Sequence, residues 1–259
     1  MSLAEPVRQG PLSTLNPVSK LGAALIITAV LLVSIDPVSA GVALGLELVL
    51  LCFAGIPARV ILTRTAPILI AAPLAALTTS LYGRTSGTVF VQWWAIEVSV
   101  GSLQLALATL LRILAIGLPA VLLFVTIDPT DLADGLAQIL KLPARFVLGG
   151  LAGLRLVGLF ADDWRALSLA RRARGVAETG AVRRLLGQSF ALFVLSIRRG
   201  TKLATAMEAR GFGAPIARTW ARPSVFRARD WTALAVAAVV AGTAAAVAVA
   251  VGSWNGLGA

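Results

Sequence analysis

The chain has 259 residues, of which 58% are hydrophobic and 14% charged, and its mean hydropathy is +0.88. A soluble domain of this length does not bury so much apolar sequence, so the composition excludes a soluble globular protein and predicts an integral membrane protein. The chain has no histidine and only one cysteine, which removes the commonest general base and metal ligand and excludes an internal disulfide.

Five apolar segments are long enough, or nearly long enough, to cross about 30 Å of hydrocarbon. They cover residues 20–35, 38–55, 64–82, 103–127 and 231–252, and the first two are separated by the tight turn Asp36-Pro37. The sequence therefore predicts an all-α integral membrane protein with about five transmembrane helices.

A further apolar run, residues 146–160, competes with this layout. It is short for a span, which needs about 20 residues, and Arg155 interrupts it. A crossing here would also move Arg171, Arg172 and Arg174 to the opposite side of the membrane. We expect a long helix that lies near the inner membrane surface, and a re-entrant or sixth span is the alternative.

Charge predicts the orientation. Residues 141–229 hold 17 Arg or Lys and four Asp or Glu, a net charge of +13, whereas the rest of the chain sums to −2. Positively charged segments stay in the cytoplasm. We therefore expect three parts: residues 1–127 with the N-terminal segment and four spans, a cytoplasmic domain of two or three long amphipathic helices over 128–230, and the last span and C-terminus over 231–259. The N-terminus is then cytoplasmic, and the protein is a multi-pass protein of the cell membrane.

Two helix-like segments in this basic region end in the same tripeptide, Ala173-Arg174-Gly175 and Ala209-Arg210-Gly211. Glycine just past a helix end, with arginine in the last turn, is typical of ordinary C-capping. Two copies on one side of the membrane also suggest docking, because a guanidinium at a helix tip can bind a partner's carboxylate through two hydrogen bonds. The two functions are compatible, since the cap points the arginine outward.

The motifs resemble those of one family. Ala206–Gly213 and the earlier Ala170–Gly175 run are similar to the two Ala-Arg-Gly signatures of the transmembrane, or T, component of energy-coupling factor transporters. Leu12–Leu21 resembles the family's N-terminal pattern of leucine, Asp or Asn, proline, two residues and lysine. Thr126–Leu132 resembles the segment that opens its coupling domain. The resemblance spans residues 12 to about 213, most of the chain.

The resemblance implies a membrane scaffold in an importer for a vitamin or a metal ion. Such a scaffold joins two cytoplasmic ABC ATPase subunits to a small membrane-embedded substrate-binding subunit and transmits ATP-driven motion between them. Residues 128–230 would be the coupling domain, and Arg174 and Arg210, with the alanine and glycine beside each, would dock one ATPase subunit apiece. Arg171, Arg172 and Glu208 would be supporting neighbours. Biotin, cobalt, thiamine-related compounds and riboflavin all stay open as substrates.

No cofactor and no metal of the protein's own are expected. The chain has no phosphate-binding loop of the Gly-x-x-x-x-Gly-Lys-Ser/Thr type, so ATP would be bound by the partner ATPases. We therefore expect a non-catalytic subunit. Nucleic-acid binding is not expected either, because membrane sidedness and an acidic partner explain the basic charge, and no aromatic residues interleave with the arginines.

The alternative function is an intramembrane lipid-modifying enzyme that holds a metal through carboxylates. Asp128 precedes Pro129, where a helix N-cap is the simplest explanation. Asp162 can pair with Arg165 or Arg155 along one helix. The candidate carboxylates are Asp128, Asp131, Asp134, Asp162 and Asp163.

Two charges lie inside predicted spans, Glu47 in the second and Arg112 in the fourth. Each lies about 13 Å from the outer end of its span at the helical rise of 1.5 Å per residue. An unpaired charge at that depth is costly, so we expect a structural ion pair between them. The alternative is that one of them contacts the substrate-binding subunit.

Overall fold

The computed structural model describes residues 11–53, 55, 57–83, 86–93, 96–175, 180–212, 214 and 219–254. These residues fall into two compact units. The first contains the described residues up to Gly135 and those from Ser224 onward, and the second runs from Leu136 to Pro223. Gly213, in the second arginine motif, and Glu178 lie outside the described residues.

Helices dominate the described chain, as the composition predicts. After a short 3₁₀ turn at Pro11–Thr14 they are α1 (Pro17–Val33), α2 (Pro37–Phe53), α3 (Ala58–Tyr82), α4 (Val100–Val125), α5 (Pro129–Gln138), α6 (Ala144–Ala173), α7 (Ala181–Ala209) and α8 (Ala228–Ala250). A two-stranded antiparallel hairpin, β1 (Val89–Trp93) and β2 (Ile96–Ser99), lies between α3 and α4, with Trp93 opposite Ile96.

Short polar residues cap the starts of α1, α4 and α5. Asn16 precedes Pro17, and its side-chain oxygen accepts a hydrogen bond from the backbone N–H of Val18 at 2.9 Å, which is an N-cap. Ser99 and Ser102 cap the start of α4 reciprocally. The predicted cap at Asp128 is confirmed, because its carboxylate accepts from the backbone N–H of Thr130 at 2.8 Å.

Asp36 fixes the turn between α1 and α2. Its carboxylate accepts hydrogen bonds from the hydroxyls of Ser34 and Ser39, at 2.5 and 2.6 Å, and from the backbone N–H of Ser39 at 2.7 Å. Burial alone would raise the pKa of Asp36. These hydrogen bonds outweigh burial and hold the pKa of Asp36 below its ordinary value of 3.8. The turn is therefore stabilised by an ionised carboxylate.

The core of the first unit lies between α1, α2, α4 and α8 and consists mainly of alanine. Small side chains let helices approach closely, which is how helices associate in a bilayer where lipid is as apolar as leucine. Large apolar side chains point outward from the same helices, among them Leu25 on α1 and Val239 on α8. The buried cluster comprises Ala23, Ile27, Leu31, Ala43, Ala115, Ala237 and Ala244.

Within the described residues, four helices are long and apolar enough to cross a membrane: α3, α4, α6 and α8. Three of them correspond to predicted spans. The other two predicted spans are the shorter apolar helices α1 and α2, of 17 residues each, which is the lower limit for crossing. The protein is thus a predominantly helical, multi-pass membrane protein.

Helix α6 differs from the sequence expectation in length. The run 146–160 is short for a span by itself, but it is part of a continuous helix of 30 residues, and no residue of that helix is buried within the described structure. The helix runs through the acidic pair at 162–163, so length alone does not exclude a crossing. The charge argument against a crossing is independent of length.

Candidate functional site

The second arginine motif forms the C-terminal cap of α7. Gly211 has a φ of +73°, the left-handed conformation that glycine adopts without steric cost. The backbone N–H of Phe212 donates to the carbonyl of Met207, and that of Gly211 donates to the carbonyl of Glu208, both at 2.9 Å. This pair of bonds is the Schellman motif, and it places Arg210 at the C-cap, directly after the last helical residue.

The first motif ends α6 in the same way. Gly175 has a φ of +67°, and its backbone N–H donates to the carbonyl of Arg172 at 3.0 Å. Arg174 occupies the cap position. The expected capping is therefore present at both tips, with an arginine followed by a left-handed glycine in each.

Both tips are accessible. All six residues of the two tripeptides are exposed, as are Arg172 and Glu208. Within the described part of the chain, neither the Arg174 nor the Arg210 guanidinium has a hydrogen bond or an ion pair. Each retains its full set of donors for a ligand from outside the chain.

Three contacts pack α6 against α7. Arg199 makes two hydrogen bonds to the carboxylate of Asp163, at 2.6 and 3.3 Å. The buried Gln188 donates to the carbonyl of Trp164 at 3.0 Å. The earlier residues of α6 thus meet the later residues of α7, so the two helices run antiparallel.

Arg171 takes part in this packing and not in the tip. Its guanidinium donates to the carbonyl of Arg184 at 3.4 Å, and a Cβ on Gly187 would lie 3.0 Å from it. Because its guanidinium is used in this contact, Arg171 is not a candidate for docking a partner. Arg174, at the cap, is left at the outer end.

The two tips lie at opposite ends of α7. Arg171 reaches Arg184, in the first turn of α7, so Arg174 lies near the start of that helix, whereas Arg210 directly follows its last residue. The 29 residues of α7 extend about 43 Å at the helical rise of 1.5 Å per residue. The arginines are therefore about 40 Å apart, held by one rigid element.

The N-terminal motif is buried in the first unit. The Lys20 ammonium, 2% exposed, donates to the carbonyl and the hydroxyl of Thr126 at 3.1 and 3.0 Å, where α4 ends. A cation is favourable at a helix C-terminus, whose carbonyls lack partners. The lysine in the motif therefore has a structural role that the sequence alone did not reveal.

The expected pair between Glu47 and Arg112 is not formed. Glu47 is buried, and neither carboxylate oxygen has a hydrogen-bond partner among the described residues. Arg112, on α4, is half-buried. Equal depth in two spans does not bring two side chains together, because the rotation of each helix decides which face they occupy. Glu47 lines an apolar cavity of about 470 Å³ in the first unit.

Three of the five carboxylates considered for an enzyme have partners in the fold. Asp128 caps α5, Asp163 binds Arg199, and Asp162 pairs with Arg165 as expected, at 3.7 Å on an exposed face. Across the described ranges, no three Asp, Glu, Cys or His side chains are grouped so that they could hold a metal ion. No observation favours the lipid-modifying enzyme.

Comparison with known proteins gives consistent matches. Three relatives are named energy-coupling factor transporter transmembrane protein EcfT. That of Limosilactobacillus fermentum is 31% identical over 168 residues, that of Bacillus subtilis 30% over 166, and that of Thermanaerovibrio acidaminovorans 27% over 261. These alignments cover 60, 60 and 92% of this chain and 63, 62 and 95% of the relatives. The chain thus spans less than two thirds of the length of the first two.

The family described as Cobalt transport protein, CbiQ, matches residues 9–219. That range includes the N-terminal motif and both arginine tips, and it is most of the chain. The chain therefore belongs to the CbiQ family, the family of the transmembrane components of energy-coupling factor transporters.

Proposed function

We propose that this protein is the scaffold of an energy-coupling factor importer and that it transmits the motion of two cytoplasmic ATPase subunits to a small membrane-embedded substrate-binding subunit. The observation that carries the proposal is the pair of matching arginine tips at the two ends of α7. Each tip docks one ATPase subunit.

The chemistry of docking follows from the caps. A left-handed glycine ends the helix directly after Arg174 and Arg210, so each exposed arginine lies at the end of its helix. A carboxylate in a groove of the partner accepts two parallel hydrogen bonds from such a group, which fixes angle as well as position. Lysine does not replace arginine here, since its ammonium lacks the planar fork.

Transmission depends on the packing of α6 on α7. When the ATPase pair closes on ATP, the two docking grooves change their separation. Two tips held about 40 Å apart by a continuous helix cannot follow that change independently, so the helices tilt. The bidentate Asp163–Arg199 pair and the Gln188–Trp164 bond make the helix pair tilt as one element.

We also propose that the second unit faces the cytoplasm. Its residues, 136–223, hold 15 Arg or Lys and four Asp or Glu, a net charge of +11, which opposes translocation. The exposed apolar residues of α6 and α7, such as Phe146, Leu154, Phe190 and Phe193, then lie at the inner membrane surface or against the substrate-binding subunit. The substrate is a vitamin or a metal ion bound by that separate subunit.

The experiment is purification of the tagged chain in mild detergent after co-expression with its ATPases, with mass spectrometry of the chains that co-purify. Wild type should retain two ATPase chains per copy. The double variant Arg174→Ala, Arg210→Ala should lose them, because each interface loses its charge-assisted pair.

The matched control is Arg165→Ala, Arg198→Ala, which removes two exposed arginines from the same helices away from their tips. It should retain both ATPase chains. If the tip variant retained a complex of wild-type composition, or the control lost it equally, docking through the tips would be wrong.

A further inference from the structure

Glu47, on α2, is a buried carboxylate that the first unit leaves without a partner. It is 9% exposed, and neither of its oxygens accepts a hydrogen bond from any described residue. It lines the apolar cavity of about 470 Å³, and all residues of that lining belong to the first unit. Cavities of this size hold small ligands. A buried polar group without a partner is costly, so the carboxylate indicates a ligand that supplies a hydrogen-bond donor.

The cavity is amphipathic along its length. Its rim lies at the end of the first unit where α1 and α8 begin, and it includes Arg229, the second residue of α8. The deep wall includes Ile27, ten residues or about 15 Å after Pro17 at the start of α1. Glu47 lies between them, six residues or about 9 Å before Phe53 at the end of α2. The charged groups of the lining are therefore confined to its outer part, and the deep part is apolar.

Two cations line the cavity, and one of them has no partner. The Lys20 ammonium donates to Thr126 and is used in the fold. The exposed guanidinium of Arg229 has neither a hydrogen bond nor an ion pair with any residue that the structure describes. The cavity thus offers an acceptor at Glu47, a set of donors at Arg229 and an apolar wall beyond them.

We propose that this cavity binds one aminophospholipid, whose ammonium group donates to Glu47, whose phosphate accepts from Arg229 and whose acyl chain lies along the apolar wall. Each polar contact is a charge-assisted hydrogen bond, and a guanidinium binds phosphate through parallel donors. Leu48 and Phe53, which also line the cavity, are 46% and 77% exposed on the apolar helix α2, so a lipid reaches the site from the bilayer. The site does not rest on the proposed function.

The two charges together select this class of ligand. An anionic phospholipid would satisfy Arg229 but leave Glu47 buried without a donor. A free amphipathic amine would satisfy Glu47 and leave Arg229 without an acceptor. A lipid with a trimethylated ammonium group carries the charge but no N–H, so it cannot donate to the carboxylate. A head group with both a phosphate and a primary ammonium group matches both side chains.

Native mass spectrometry of the full chain, released from detergent micelles, tests the assignment. Phosphatidylethanolamine, phosphatidylglycerol and phosphatidylcholine with identical acyl chains are added at equal concentration. Wild type should retain one phosphatidylethanolamine several-fold more often than either of the others. Glu47→Gln keeps the shape and removes the charge, and it should lower this retention about tenfold, as expected for the loss of a hydrogen bond to a charged group. Arg229→Gln should lower it several-fold, because its contact is exposed.

The matched control is Asp162→Asn, which removes a carboxylate from an exposed face outside the cavity and should leave retention unchanged. A second measurement needs no variant. Phosphatidylethanolamine should raise the melting temperature of the wild-type chain in detergent more than phosphatidylglycerol does, because a ligand stabilises the state that binds it. Equal retention of the three lipids would overturn the proposal, as would equal effects of Glu47→Gln and Asp162→Asn. A loss with Glu47→Gln but not with Arg229→Gln would mean that the ammonium group alone is recognised, and it would overturn the phospholipid assignment.

Discussion

The contact between Asp163 and Arg199 offers a sharp test of how α6 and α7 are held together. The carboxylate and guanidinium are joined by two hydrogen bonds, and their side chains are 19% and 35% exposed. A hydrogen bond to a charged group contributes about 1.5–3 kcal/mol to stability. Because both side chains are partly exposed, the contribution of this pair lies near the lower end of that range. We expect Asp163→Asn to cost about 2 kcal/mol.

Hydrogen exchange measured by mass spectrometry reports this loss of stability for individual peptides. A loss of about 2 kcal/mol speeds exchange through opening of the helix pair about 30-fold, since 1.4 kcal/mol is a factor of ten. The affected peptides should be those around residues 159–167 and 195–203. Asp162→Asn, one residue away on the same helix, should change nothing measurable, because its pair with Arg165 is 3.7 Å long and 74% exposed on each side.

A double-mutant cycle completes the test. Asp163→Asn with Arg199→Met should cost less than the sum of the two single changes, because the double variant leaves no charge without its partner. If Asp163→Asn exchanged no faster than Asp162→Asn, or if the two single costs added, the pair would not hold the helices together.

Three further predictions concern the caps and the buried charges. Gly211→Ala should fray the end of α7 and weaken ATPase binding, because alanine at a φ of +73° costs about 1 kcal/mol. The control Gly200→Ala lies inside the same helix and should slow hydrogen exchange of the backbone amides of α7. Lys20→Met should lower the melting temperature of the detergent-solubilised protein, because it leaves the buried Thr126 carbonyl without its donor at about 1–3 kcal/mol. The pKa of Asp36 is lower in the folded protein than its ordinary value of 3.8, so the ionised carboxylate stabilises the fold at pH values above 3.8. This contribution is lost as the pH falls through the lower pKa of the folded state. Asp36→Asn should therefore melt at a lower temperature than wild type at pH 7 and show a smaller loss of stability below about pH 4, as followed by intrinsic fluorescence.

Features set by local sequence could be predicted. Glycine after arginine at a helix end predicts a left-handed cap, and both Gly175 and Gly211 adopt it. Asp128 before Pro129 predicts the N-cap that is present. The long apolar segments predict α3, α4 and α8, since hydropathy needs no knowledge of neighbours.

Contacts between distant segments could not be predicted in this way. Asp163 contacts Arg199, 36 residues away, only because α6 and α7 pack antiparallel and each helix is rotated about its axis so that these side chains face each other. The same dependence on rotation explains why Glu47 and Arg112 do not meet. The burial of Lys20 needs the end of α4 beside it, more than 100 residues along the chain. The sequence indicates that such residues are unusual, and packing decides their partners.

The most direct test of the central claim is photo-crosslinking with a reactive residue placed at 174, at 210, or at both. In the complex with ATPases, each single substitution should yield one product that contains one copy of this chain and one ATPase. The double substitution should yield a product with one copy and two ATPases, because the tips lie about 40 Å apart, at opposite ends of α7. A double substitution that never bound more than one ATPase, or tips that crosslinked to lipid alone, would contradict the account.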